Sequence, residues 1–532
     1  MISSPCILRA DGIEYPWALG PVSQPAMPDT NRNSGAYICL HTQERLVFHP
    51  MNKPKWGQMI RWPRSRDLFD STGMTDSLRR SLYLVILAAT FGNAAGVITT
   101  GAAWTGFLRE VVRADDLQLG IIAAIPVIAN TSQLFISYWM ERKRNRRFMF
   151  LFFGILGRSL WIPIGLLPFF IPEAAFYLRP WAVIVLVALI AGGNSAVNLS
   201  FNSLMGDLVP IRIRGRYFSV RYRTFVMAGI LAGLAVSWIM DSTGMLGYTI
   251  VFVAAGILGM TDLSTFFFVE WPAMRTPPPE EKQQSFFSMI RVVLKDKPFM
   301  MVTLFYTAWN FSVNVAAPFF NVHMLENLHM NYTQITLYNQ ITSNVMAVIF
   351  VSRWGRLMDR FGNKPILHIS VLMCMMTPLL WLSVTPATTW LVIVLNLLSG
   401  IFWSPIDLGQ QNFPLNLAGG KNPSMYLAVF FTVINLAGVA FGNTVGGLMV
   451  QGVYAHMETL QFHLMGLTLN RYHYIFVTSS LLRILAVLLV LPLVKEAGSH
   501  EMRPVVHEIT QNSFTGVKRR FLRFQTYVRN KK

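Results

Sequence analysis

Twelve predominantly apolar runs punctuate the chain, at approximately 81–107, 117–140, 148–171, 181–206, 217–240, 246–271, 299–325, 333–354, 366–384, 388–415, 425–451 and 472–495. Each is about long enough to cross the ~30 Å hydrocarbon layer as a helix. Lipid offers separate spanning segments no other way to satisfy their backbone, and the runs are too long and too uniformly apolar for barrel strands. A polar stretch at 272–297, containing Pro277-Pro278-Pro279-Glu280-Glu281-Lys282, separates six runs from six. The pattern predicts an all-α membrane protein of twelve transmembrane helices in two six-helix bundles, 74–271 and 298–495, joined by a linker at 272–297. Residues 1–73 hold no spanning run, several prolines and no periodicity, and read as a disordered cytoplasmic segment. Met74-Thr75-Asp76-Ser77 leads directly into the first run, so the upstream stretch can also be a mis-called start.

Composition agrees. The 532 residues are 53% hydrophobic and 13% charged, where a soluble domain carries roughly 25% charge. The net charge of +19 would suit a nucleic-acid partner, but the basic residues lie between apolar runs and in the tails, as they do in membrane proteins with basic cytoplasmic loops. Arg142, Lys143, Arg144, Arg146 and Arg147 follow the second run, Arg212, Arg214 and Arg216 the fourth, and Arg275, Lys282, Arg291, Lys295 and Lys297 the sixth. Arg353, Arg356, Arg360 and Lys364 cluster around the end of the eighth, and Lys421 follows the tenth, whereas 323–332 and 384–388 contain no Lys or Arg. Even-numbered connections are therefore expected in the cytoplasm, with both termini. The tail at 496–532, with Lys518, Arg519, Arg520 and Arg523 around Phe521 and Phe524, reads as a basic cytoplasmic segment lying on anionic lipid. Cys6, Cys39 and Cys374 are too few and scattered for a disulfide framework or zinc site.

The two halves repeat one another. Glu141-Arg142-x-x-Asn145-Arg146 after the second run matches Asp359-Arg360-x-x-Asn363-Lys364 after the eighth, and Asp207-Leu208, Arg212 and Tyr217 match Asn416-Leu417, Lys421 and Tyr426 at equal spacing. Such duplicated, pseudo-symmetric halves with a site between them are a known transporter plan.

Gly355-Arg356-Leu357-Met358-Asp359-Arg360-Phe361-Gly362-Asn363-Lys364-Pro365 resembles the G-x-L-x-D-R-x-G-R/N-K loop motif of the major facilitator superfamily. The copy after the second run, normally the stronger one, is degenerate and keeps Glu141 and Arg142 without the glycines. Asp207 through Tyr217 resembles the loop after the fourth helix in bacterial members. Over residues 78–495 the resemblance implies twelve helices around a cavity that opens alternately to each side of the cell inner membrane. It makes Glu141, Arg142, Gly355, Asp359, Arg360, Gly362 and Lys364 a candidate cytoplasmic gate, with Asp207 and Arg216 as a second clamp. The alternative for each is a static basic loop. Gly438-x-x-x-Gly442-Asn443-x-x-Gly446-Gly447 resembles the family's antiporter motif but stands in the other half and replaces its proline with Asn443. Close helix packing is the reading taken for it.

Intramembrane polar groups are costly and are functional candidates by default. Arg158 and Asp262 lie at similar depth in the third and sixth runs and can pair if those helices touch, either as a relay or as a structural pair. By the resemblance, helices one, four, seven and ten face the cavity. That makes Asn93, Asn198, Asn310, Asn314, Asp407 and Gln411 candidates for solute binding or coupling, with Gln133 in the second run. Asp407 can carry a coupling proton, contact a cationic solute, or be neutralised by Arg483. Tyr306 and Trp309 neighbour Asn310 and Asn314 in sequence, and Gln410 neighbours Asp407.

No phosphate-cradling motif, metal-ligand cluster or nucleophile–base set occurs, so neither ATP drive nor an enzyme is indicated, and no cofactor is expected. The chain reads as a monomeric secondary transporter of a small organic solute, with protons as coupling ion and lipid as its surroundings. A transport-inactive sensor or scaffold of the same fold is the alternative.

Overall fold

The computed structural model describes residues 75–143, 145–210, 213–273, 286–418, 423–464, 467–494 and 496. The expected N-terminal segment, the prolines of the linker, Cys6, Cys39, Arg144, Arg212, Lys421 and the basic tail beyond Glu496 lie outside these residues.

The described chain is almost wholly helical, the exception in kind being a two-residue hairpin that pairs His463–Leu464 with Leu467–Thr468. Ten helical stretches are long and apolar enough to cross a membrane. In chain order they are α1 Asp76–Val111, α3 Arg146–Gly165, α4 Glu173–Leu208, α5 Arg214–Thr243, α6 Met245–Phe267, α8 Tyr332–Phe361, α9 Asn363–Ser383, α10 Leu391–Ala418, α11 Met425–Thr459 and α12 Arg471–Leu493. Two shorter helices hold the second and seventh places. One is α2, Asp116–Thr131, which carries Pro126 and is continued beyond Ser132 by Gln133–Lys143. The other is α7, Lys297–Asn314, which is interrupted before Phe319–Glu326. Most helices run past their apolar runs, because backbone hydrogen bonding continues where the side chains turn polar. Inside the stretch expected to be a plain linker, Phe286–Lys295 is also helical. Its Val293 is buried in the second half's core, and Asp296 then caps α7 by accepting from the Phe299 N–H.

We call the end bearing the α1–α2, α3–α4, α5–α6, α7–α8, α9–α10 and α11–α12 connections the odd end, and the opposite end the even end. At the odd end one apolar core runs through both halves: Phe107, Ile164, Val183, Phe252, Val315, Phe319, Val450 and Phe476 belong to the same cluster. Towards the even end the core divides. Leu82, Phe150, Leu204 and Tyr217 form a cluster confined to the first half, and Phe299, Tyr306, Leu367, Phe413 and Phe430 one confined to the second. The halves are thus fused at one end and separate at the other.

Local sequence pins the fused end. Asp115 with Gln118, Asn331 with Gln334 and Asn470 with His473 form reciprocal capping boxes at the starts of α2, α8 and α12. Between the halves α2 crosses α11 at glycine. A Cβ on Gly447 would lie 2.7 Å from the Asp116 carbonyl oxygen and 2.9 Å from the Leu117 Cα. Gly438 and Gly442 face α7 just as tightly, with a Cβ 3.1 Å from Asn310 Cβ and 2.9 Å from the Phe311 carbonyl oxygen, respectively. The glycine pattern of α11 therefore packs on two neighbours, one in each half. Overpacking such a contact costs roughly 1–3 kcal/mol. Gly447→Leu is expected to lower the melting temperature of the purified protein, whereas Gly452→Leu, at a position open to space, leaves it unchanged.

Candidate functional site

Between the fused end and the divided end lies a cavity of about 440 Å³. Its walls come from both halves: Asn93 and Val97 of α1, Tyr222 to Gly233 of α5, Thr336 to Val351 of α8, and Ser404 to Gln411 of α10. These positions fall near the middle of each helix, which puts the cavity at mid-depth. α8 has a π-helical stretch over Thr336–Ile341 where it meets the cavity, a local widening that recurs at functional sites.

Some lining polar groups are already committed. The Asn93 Nδ2 donates to the Phe225 carbonyl oxygen at 2.6 Å, the Ser404 hydroxyl to the Gly400 carbonyl oxygen at 3.0 Å, and the Ser237 and Thr336 hydroxyls are 2.6 Å apart across the halves. Tyr222, Gln340, Asn344, Asp407 and Gln411 line the cavity without a hydrogen bond or ion pair among the described residues. Asp407 is the one acid among the lining residues, and they include no Lys, Arg or His.

Of the residues expected at the cavity, the structure brings Asn93, Asp407 and Gln411 together there and leaves Gln133, Asn198, Asn310 and Asn314 outside its lining. Asn310 Nδ2 donates to the Tyr306 carbonyl at 2.8 Å and to Gln410 Oε1 at 3.2 Å, and Asn314 Nδ2 to the Asn310 carbonyl at 2.7 Å. These amides satisfy their own helix and tie α7 to α10. Tyr222, Gln340 and Asn344 were passed over. Gln340 and Asn344 stand four residues apart on one helical face, but Thr336, Asn339, Thr342 and Ser343 around them blur that signal.

Arg483 does not neutralise Asp407. Its guanidinium donates to the Cys374 carbonyl at 3.0 Å and lies 5.9 and 5.8 Å from the ring centroids of Trp309 and Trp403. Cys374 is buried and packs there. α3 and α6 do touch, and Asp262 feels the charges of Arg158 and, from α5, Arg221. No ion pair closes between Arg158 and Asp262 among the described residues. Asp262 instead abuts Gly92, where a Cβ would lie 2.5 Å from its carboxylate, directly behind Asn93 of the cavity wall.

At the even end each half is tied to itself. Arg146, 3% exposed, pairs with Asp207 at 2.6 Å and donates to the Pro272 carbonyl at 2.6 Å. Asp207 thus pairs with Arg146 rather than Arg216, which is exposed. In the second half Glu496 accepts from the Asn363 N–H at 3.2 Å, Asn363 Nδ2 at 2.7 Å and the Lys364 N–H at 2.7 Å, capping the start of α9. Gly362 ends α8 at φ +90°, a conformation suited to glycine. Asp359 is exposed and makes no ion pair among the described residues, and a Cβ on Gly355 would meet nothing within 4 Å, so the expected Asp359 clamp is not engaged. Arg142 is exposed, Arg360 lies over the Phe361 ring, and the Glu141 side chain is outside the described set.

At the odd end polar contacts bind half to half. Arg109 of α1 pairs with Asp116 of α2 and reaches Glu326, beyond α7, at 2.8 Å and the Tyr472 hydroxyl of α12 at 2.7 Å. The same hydroxyl donates to Glu326 at 2.7 Å, and Arg471 pairs with Asp116 at 2.9 Å. Asp241 of α5 accepts from the Tyr332 and Thr333 N–H groups at 2.9 and 3.0 Å, capping α8 from the other half. The Tyr248 and Tyr332 hydroxyls sit 2.6 Å apart. Nothing in sequence flagged this clasp, whose members come from six separate helices and the α7–α8 connection.

A sequence model described as the Major Facilitator Superfamily matches residues 86–442 and again 310–525. The chain belongs to the Major Facilitator Superfamily. No curated protein sequence matches it. Among solved structures, a mutant of the nucleoside transporter NupG superposes with a TM-score of 0.61 at 10% identity, covering 78% of this chain and 100% of that one. A D-xylose-proton symporter gives 0.56 at 15%, covering 78% and 99%. A bacterial homologue of the human lysosomal transporter Spinster, inward-facing and unoccupied, gives 0.54 at 13%, covering 79% and 95%. At these identities the likeness is one of fold.

Two outcomes test the ends of this major facilitator fold. Asp207→Ala strands a buried guanidinium, and breaking such a pair costs about 3–5 kcal/mol, read as a lower melting temperature. Arg109→Ala loosens the clasp. In a background lacking native cysteines, a cysteine at Gln340 should then react about tenfold faster with a thiol reagent confined to the odd-end side, a shift of ~1.4 kcal/mol. An unchanged rate would mean that the clasp contributes no closing energy.

Proposed function

We propose that this protein is a secondary transporter that moves a small organic solute by alternating access and couples the movement to protons through Asp407. The observation that carries the reading is the cavity, mainly apolar with a few polar groups, between halves that share a core at one end only. Such a molecule has one entrance shut and can open the other by tilting one half on its partner. A carboxylate without a partner in a low-dielectric cavity is suited to taking and releasing a proton.

The even end is assigned to the cytoplasm, with both termini, in the cell inner membrane. The support is charge. Arg142, Lys143, Arg147, Arg216 and Arg356 are exposed at the even end, whereas at the odd end Arg109, Arg113, Arg179 and Arg471 are all spent in ion pairs with acids. The described conformation is then the one open to the cytoplasm. The chain acts as a monomer with lipid around it and without ATP drive. NupG transports nucleosides and the xylose symporter takes protons by their names, and both share this architecture. A transport-inactive scaffold would have no use for a cavity with five uncommitted polar side chains.

Reconstitution in liposomes with a solute panel, with and without a pH gradient, tests the proposal. Gradient-dependent flux is expected, and Asp407→Asn should cut it by about tenfold or more. No flux of any solute would overturn the transporter reading. Flux indifferent to pH, with Asp407→Asn unaffected, would remove coupling through this residue.

A further inference from the structure

We infer that the solute is a small organic cation with an apolar, ring-bearing body, and that it competes with the proton for the Asp407 carboxylate. This rests on the transporter reading and names the substrate class of the same site. The chemistry of the wall carries it. Five lining groups have no internal partner: the Tyr222 hydroxyl, the Gln340, Asn344 and Gln411 amides, and Asp407. The last is the one formal charge on the wall. An anionic solute would meet an uncompensated like charge with no Lys or Arg to offset it. A neutral solute would draw nothing from the carboxylate's charge and would be held only with Asp407 protonated, since a buried ionised carboxylate without a counter-charge is penalised by low dielectric.

The groups that could have supplied an internal counter-ion are turned elsewhere. Arg483 is held by the Cys374 carbonyl and two tryptophan rings, and Arg158 and Arg221 act on Asp262 behind the α1 wall. From the elements packed on α10, the titratable groups facing Asp407 are Tyr306 of α7 and Cys374 of α9, and Tyr222 of α5 shares the cavity. None is a cation. The rest of the wall suits an apolar body: Val97, Phe225, Val226, Ile230, Val348 and Leu408, with the Phe225 and Tyr222 rings available to a cation as well.

Competition at one carboxylate fixes the sense of coupling. The ammonium-type cation leaves as the proton binds, and the proton leaves as the cation binds, with no covalent change. Solute and proton therefore travel in opposite directions.

Equilibrium binding to the purified full chain tests this, with 1-methyl-4-phenylpyridinium and tetraphenylphosphonium as cationic probes, 4-methylbiphenyl as the neutral isostere and 4-phenylbenzoate as the anion. A cationic probe should bind about tenfold or more tighter than the others. Its affinity should fall as the medium is acidified from about pH 8 to about pH 5.5, because a protonated carboxyl offers no charge. Asp407→Asn should lose about tenfold in affinity together with the pH dependence, while Asp407→Glu keeps the pH dependence and melting curves show both variants folded. Equal binding of all three charge types, failure of both cations to bind, or unchanged cation binding by Asp407→Asn would overturn the inference. Liposome flux confined to neutral or anionic solutes would overturn the cation and leave the transporter standing. Cation binding at Asp407 without flux of any solute would support the site and overturn transport.

Discussion

The arrangement of this molecule depends on where its apolar core is continuous. At the odd end residues from α1 to α12 share one cluster. Towards the even end that cluster gives way to separate ones, each confined to one half. Apolar burial stabilises by roughly 25 cal/mol per Å², so most of the attraction between halves is concentrated at one end. The cavity lies where the shared core gives out. Its α1–α5 wall is stiffened by the Asn93 bond to Phe225, and its floor is closed by the Ser237–Thr336 contact.

Directional contacts reinforce the same end. Arg109, Asp116, Glu326, Tyr472 and Arg471 interlock beside the glycine crossing of α2 and α11. Glycine lets the two backbones meet, and that approach leaves little room for movement without separation. The even-end ties behave differently. Arg146–Asp207 and the Glu496 cap on α9 each stay within one half, so they keep each half rigid without joining it to the other.

Much of the fold was legible because span length and loop charge are local properties. The apolar runs located the helices, the repeated loops suggested two halves, and the α11 glycines read correctly as packing. The site was less legible because it is assembled from distant residues. Arg146 sits in a run of bases that reads as a solvated loop, yet its partners, Asp207 and Pro272, bury it. Asp359 stands in the best-preserved motif and has no ion-pair partner among the described residues. Asn310 and Asn314 are polar residues in a span, the usual mark of a cavity, but an amide can equally satisfy the carbonyl four residues earlier on its own helix, and both do. The choice between these fates depends on helix rotation, which a single sequence carries only weakly. Asp407 was recognisable because no carbonyl of its own helix can satisfy a carboxylate.

The odd-end clasp also differs from the core beneath it in how it answers to ionic strength. Mobile ions weaken exposed charge pairs over a Debye length of about 8 Å at physiological salt and leave buried ones nearly untouched. Arg113–Glu173 and Arg471–Glu458 have exposures of 51%/65% and 33%/40%, whereas Arg109–Asp116 has 14%/2%. Added salt on that face therefore loosens the rim of the clasp first and its centre last. The resistance of this entrance to opening thus depends on the electrolyte of one compartment and is indifferent to that of the other.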